Sequence, residues 1–245
     1  MGILGDEGWA RTEAALDQEG DASPDLSRVL RHRPAQRRSR RSVRKIIQAA
    51  DALLPELGYA AITAAPWPIV ERAGVTAGVF YHYFENGAAV LEALSLVYFD
   101  QARIMIDRLA GRSFADWESA LDAVTDTFAS FYSEPSVHEL WLNDRLRETA
   151  GEVSERINGY IADTIARVLE EVSGGELLLR PPALQILRTL GDDLLHYAFS
   201  RPPEETDDYL TEVKIAMRSY CRTMLGGPDA ALRRASAPGR MTLTP

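Results

Sequence analysis

ERAGVTAGVFYHYFENG, residues 71–87, carries the punctuation of two short helices that meet at a turn. Gly74 supplies the turn, and the Thr76 hydroxyl can cap the helix that follows. That helix takes in the crowded run Phe80, Tyr81, His82, Tyr83 and ends at Phe84. Before the turn, Pro68 suits a first helical position, so a short helix is expected over about Pro68 to Ala73. Two short helices joined by a glycine-containing turn make a helix-turn-helix, whose second helix enters the major groove of DNA. The end of the stretch fits less well. Glu85, Asn86 and Gly87 stand where a helix clamped to phosphates would want a cation.

Upstream, Val43, Ile46, Ile47, Ala50, Leu53, Leu54 and Leu57 fall at three- and four-residue steps, giving a helix with one apolar stripe over Ser42 to Leu57. Gly58 is expected to stop it, and Pro55 to tighten or bend its last turn. Thr63 would ordinarily cap the next helix, but Pro66 and Pro68 delay its regular part. Ahead of this lies RVLRHRPAQRRSRRSVRK, residues 28–45, cationic at nearly every second position. Residues 1–27 hold seven acids against Arg11, whereas residues 28–98 hold ten Lys and Arg against five acids, in a chain of net charge −9. Positive charge in one early block of an acidic protein suits a polyanion, the plainer alternative being a solvated linker. The first 27 residues are too poor in apolar side chains to repay ordering. Residues 1–36 are therefore expected to be a disordered extension, acidic and then basic.

Downstream, the pattern is helix upon helix with no convincing strand. Val90, Leu91, Leu94, Val97, Tyr98 and Ile104 mark one long helix. A second is expected from a cap at Ser113, carrying Phe114, Trp117, Leu121, Val124, Phe128, Phe131 and Tyr132 on one face until Pro135 breaks it. Further helices are expected over about Val137–Thr149, Val153–Val172, Pro182–Phe199 and Asp207–Leu225, separated by glycine and proline. The fold class is all-α. The domains are a helix-turn-helix unit over 37–87, a larger helical body over 88–227, and a disordered tail over 228–245.

Enzymatic readings find little support. There is no glycine-rich phosphate loop, the four histidines show no metal spacing, and one cysteine, Cys221, builds neither a disulfide framework nor a thiolate cluster. No cofactor, metal or membrane association is expected. The acidic start is unlike a secretory leader, which points to the cytoplasm of a bacterium-like cell.

The stretches AADALLPELGY and IVERAGVTAGVFYHYF resemble the N-terminal domain of the tetracycline-repressor family, over about residues 43 to 94. Three departures stand out. "PWP" lengthens the link between Gly58-Tyr59 and Ala73-Gly74-Val75 by about two residues, Pro55 takes a slot of a helix former, and Gly87 replaces a lysine that commonly touches phosphate. The resemblance implies DNA contacts from Thr76, Ala77, Gly78 and Val79 at the front of the recognition helix. It implies phosphate contacts from Tyr81 and Tyr83, with His82 best placed to reach a base edge and Phe80 and Phe84 facing the core. Thr63 joins this DNA-facing set. So few hydrogen-bonding groups leave much of the affinity to the basic arm, including Arg31, Arg33, Arg37, Arg38, Arg40, Arg41, Arg44 and Lys45.

The resemblance further implies a homodimer through the last two helices, bound to a palindromic operator and released by a small effector. Trp117, Phe128, Phe131, Tyr132, Trp141 and Tyr160 would form an aromatic effector cavity, with His138, Asn143 and His196 as polar anchors. An apolar or amphipathic effector would suit it, and repression is the expected mode. The rival is a protein of the same fold that carries lipids or serves as an adaptor after losing its DNA contacts.

Overall fold

The computed structural model describes residues 3–16, 26–141, 151–177 and 179–226. Among these residues the secondary structure is helical throughout, with no strand. The helices are α1 (Gly5–Ala15), α2 (Arg37–Ala64), α3 (Trp67–Ala73), α4 (Ala77–Tyr83), α5 (Gly87–Ala110), α6 (Trp117–Tyr132), α7 (Pro135–Trp141), α8 (Gly151–Val172), α9 (Pro181–Phe199) and α10 (Thr206–Gly226).

Six of the seven residues in the apolar stripe of α2 are buried as the periodicity requires, Val43, Ile46, Ile47, Ala50, Leu53 and Leu54, whereas Leu57, in the turn before Gly58, is 42% exposed. Gly58 leaves the helical conformation, with φ 78° and ψ 162°, and so ends the first helical segment of α2 as expected; a second segment follows across this kink as far as Ala64. Pro55 has no N–H for the carbonyl four residues back, that of Asp51. Ser136 at the start of α7 repairs the loss, its hydroxyl donating to Asp51 O at 2.8 Å. A helix defect in the N-terminal unit has thus become a hydrogen bond to the body.

The same junction holds a half-buried carboxylate. The Tyr98 hydroxyl on α5 donates to Asp51 Oδ1 at 2.7 Å. Burial pushes the Asp51 carboxyl above its ordinary range, and hydrogen bonding from Ser136 and Tyr98 offsets this only in part. Burial, reinforced by the Asp51 charge, likewise raises the Tyr98 phenol, so it stays a donor. A carboxyl raised in the folded state contributes stability at low pH and loses it as pH climbs through the folded value. Asp51→Asn should therefore be more stable than the parent at pH 8, the gap narrowing as pH is lowered to about 4, the ordinary aspartate range. Tyr98→Phe should destabilise by roughly 1–3 kcal/mol at pH 8, because a half-buried, charged acceptor loses its donor. Urea denaturation at the two pH values measures both, and an Asp51→Asn variant weaker than its parent at pH 8 would contradict the account.

Three boundaries differ from expectation. The cap of α6 is Asp116, not Ser113: Asp116 Oδ1 accepts from Ser119 N at 2.7 Å, and Asp116 N donates to Ser119 Oγ at 3.3 Å. Pro135 starts α7, since a first-turn proline gives up no helical bond. The acidic N-terminus forms α1 instead of a loose tail. Leu4 and Leu16 are buried on the body, and Trp9 packs against it. Glu13 pairs with Arg44 of α2 at 3.2 Å, and Arg11 donates to Gln101 of α5 at 2.9 Å. Ile3 N donates to Glu134 Oε2 at 2.7 Å, so α1 spans the junction between α2, α5 and α7.

Candidate nucleic-acid interface

The turn between α3 and α4 is built as its residues demand. Gly74 takes the left-handed conformation, φ 61° and ψ 39°, and Thr76 Oγ1 accepts from Val79 N at 3.3 Å. Thr76, Ala77, Gly78, Tyr81 and His82 are exposed along α4, and Val79 is half-buried. Tyr81 is 48% exposed, but Tyr83 is only 8% exposed and belongs to the core with Phe80 and Phe84. The expectation that Tyr83 stands outward is therefore corrected. Residues i, i+3 and i+4 share one helix face, so Tyr83 and Phe84 must follow Phe80 inward.

The expected free arm is largely a helix. Arg37, Arg38, Arg41 and Lys45 are exposed, and their spacing puts them on one side of α2. Arg40 and Arg44 lie on the neighbouring side and are half-buried. Arg40 Nη1 turns back to Ala35 O at 3.5 Å, and Arg44 is held by Glu13, which removes Arg44 from the set directed at a partner. Thr63 is half-buried and its hydroxyl donates within α2, to Tyr59 O and Ala60 O at 3.1 Å each.

Position 87 is glycine for a reason that the spacing hid. A Cβ there would lie 2.1 Å from Ile62 O and 3.0 Å from Ile62 C, since the extension of α2 beyond Gly58 rests on the first turn of α5. No side chain fits, least of all the lysine of the family pattern. The added PWP does not cover α4: Trp67 is 64% exposed at the start of α3, and Tyr81 and His82 remain open.

Sequence reasoning missed what lies at the other end of α4. Arg31 N donates to Tyr83 O at 2.9 Å, and the His32 ring stacks on His82 at 4.5 Å with an interplanar angle of 22°. The closely spaced Leu26, Leu30 and Pro34 gave a signal, all three being buried.

In the body, the expected aromatic cavity is instead a packed cluster. Tyr98, Phe131, Tyr132 and Phe199 form a chain of rings with centroids 5.9–6.2 Å apart, and Trp117 is buried as well. Large flat side chains were spent on closing the core. A separate cleft with about 80 Å³ of free space opens between α6, α8, α9 and α10, lined by Leu121, Val124, Phe128, Ile161, Leu187 and Met217 among others. Of the expected residues only Phe128 lines it. Tyr160 is exposed, its hydroxyl donating to Asp107 Oδ1 at 2.8 Å, and His138 is half-buried away from the cleft. His196 also lies outside the cleft lining, with a buried Nε2 that has no hydrogen-bond partner. Asn143 and the side chain of Trp141 fall outside the described residues. Among the described residues no helix is long and apolar enough to cross a membrane.

Residues 46–94 match the family model described as bacterial regulatory proteins, tetR family, and residues 115–225 match the tetracyclin repressor-like C-terminal domain. A crystal structure of a TetR-family transcriptional regulator from Streptomyces coelicolor superposes with a TM-score of 0.52 at 23% identity, covering 77% of this chain and 99% of that one. That likeness concerns the fold. No curated protein matches the chain.

Proposed function

Because this chain belongs to the tetracycline-repressor family of bacterial regulatory proteins, we propose that it represses transcription as a dimer on a palindromic operator and leaves it when a small effector binds. The supporting observation is the open ridge of Thr76, Ala77, Gly78, Tyr81 and His82 in a fold that also exposes Arg37, Arg38, Arg41 and Lys45 on one side of α2. Phosphate contacts fix position and α4 reads base edges. Two such helices must span successive major grooves, roughly 34–36 Å apart.

The last two helices support the dimer. Ile186 on α9 and Ile215 on α10 are 53% and 50% exposed, large apolar side chains only half covered by the described residues of their own chain. Pairing with a second copy would bury them in a four-helix arrangement. Ile186→Asp with Ile215→Asp should turn the dimer into a monomer in size-exclusion chromatography with light scattering. An unchanged dimer would place the interface elsewhere.

The cleft beside Phe128 suits an apolar or amphipathic effector, because its walls are aliphatic and Arg188 and Asp192 are the charged side chains in its lining. A ligand that prefers one domain arrangement shifts the population towards it, and with it the spacing of the two recognition helices. Anisotropy of a labelled duplex from upstream of the coding sequence, across a salt series, tests the DNA reading. Intact dimers that bind no duplex at low salt would favour a carrier or adaptor.

A further inference from the structure

The segment before α2 is held on the recognition helix itself. Leu26, Leu30 and Pro34 are buried, while Arg31, His32 and Arg33 are exposed. Arg31 N donates to Tyr83 O at 2.9 Å and Arg31 Nη1 to Tyr81 O at 3.3 Å. Those are two of the last carbonyls of α4, which have no partner inside the helix. The end of a helix is electronegative and favours a cation there. His32 adds a third attachment, its ring stacked on that of His82.

Backbone and ring together fix the segment in register with α4. It cannot lag behind when the helix moves onto a partner. The exposed face of α4 and the exposed Arg31, His32 and Arg33 therefore present as one surface, with the exposed Glu85 following α4. The chemistry that such a surface fits is a line of phosphates beside the groove that α4 enters.

We propose that Arg31, His32 and Arg33 form a second DNA-contacting segment, carried by the recognition helix and set in register by the His32–His82 stack. This rests on the DNA-binding reading above. Arg33 and the outer edge of Arg31 meet phosphate, and His32 is a positioning residue that orients them while keeping His82 aligned towards the bases.

The test uses the full chain, calf-thymus DNA, and a duplex selected by the parent protein from a random library. Binding is followed by anisotropy over a salt series. Arg31→Gln with Arg33→Gln should flatten the log-log salt slope by about two, at roughly 0.9 per phosphate, and weaken both duplexes alike. Arg33→Gln alone leaves the carbonyl bonds of Arg31 in place and should flatten it by about one. His32→Ala should weaken the selected duplex about tenfold, the size of one aromatic stacking contact of roughly 1.4 kcal/mol, and His32→Phe should restore most of the loss. A parental slope in both arginine variants, with the parental melting temperature, overturns the proposal while the DNA reading stands. So does a His32→Phe variant no better than His32→Ala. A parent protein that binds neither duplex sinks both.

Discussion

Gly87→Ala should destabilise the protein by about 3 kcal/mol or more, the range in which forced overpacking moves backbone. The sign is the informative part. At an open helical site, exchanging glycine for alanine stabilises, by about 0.4–1 kcal/mol. Gly87 is not open, because the new Cβ would meet the Ile62 carbonyl oxygen at 2.1 Å and that oxygen belongs to backbone. Relief requires the end of α2 or the start of α5 to move, and both are seated on the core through Ile62 and Val90. For a chain of this size each kcal/mol shifts the melting temperature by roughly 2–4 °C, so a drop near 10 °C is expected. Gly78→Ala supplies the control: its Cβ would meet only Thr76 Oγ1 at 3.8 Å, and that variant should match or exceed the parent. Equal melting temperatures for the two variants would contradict the packing described at Ile62.

Gly87 also shows which features were legible in advance. Reading along the chain, it looked like a lost lysine, a deficit in DNA grip. In space it answers the six residues of α2 that follow Gly58, and nothing local announces that contact. The apolar stripe of α2, the turn at Gly74 and the Thr76 cap were readable because each depends on neighbours within four residues. Tyr83 is equally readable, since the helical period pairs it with Phe80 and outweighs the family pattern. Helix α1 was hidden for the opposite reason. Its few apolar residues repay ordering only against a body that the local sequence does not show. The cleft beside Phe128 depends on four helices arriving together, which no local pattern announces, and the most conspicuous aromatics close the core instead.

Neutralising Arg37, Arg38, Arg41 and Lys45 together should lower affinity for duplex DNA about a thousandfold near 0.1 M salt and flatten the salt slope by three to four, at roughly 0.9 per phosphate released. The argument begins with what these residues do to the fold. Arg37 and Arg38 lie in the first turn of α2, where the helix dipole is positive and no acid offsets them. Cations at that end are unfavourable by about 0.3–1 kcal/mol each, and Arg41 and Lys45 add repulsion on the same side. The arrangement works against stability, so glutamine at all four positions should leave the melting temperature unchanged or raise it. Arg44 separates this account from a general effect of charge. It sits among the same residues, yet Glu13 holds it at 3.2 Å on the side facing α1. Arg44→Gln should therefore leave the slope near its parental value while loosening α1. If Arg44→Gln flattened the slope as much as Arg41→Gln does, the division of α2 into a partner-facing side and a body-facing side would be wrong, and the helical basic region would be acting as an undirected cloud of charge.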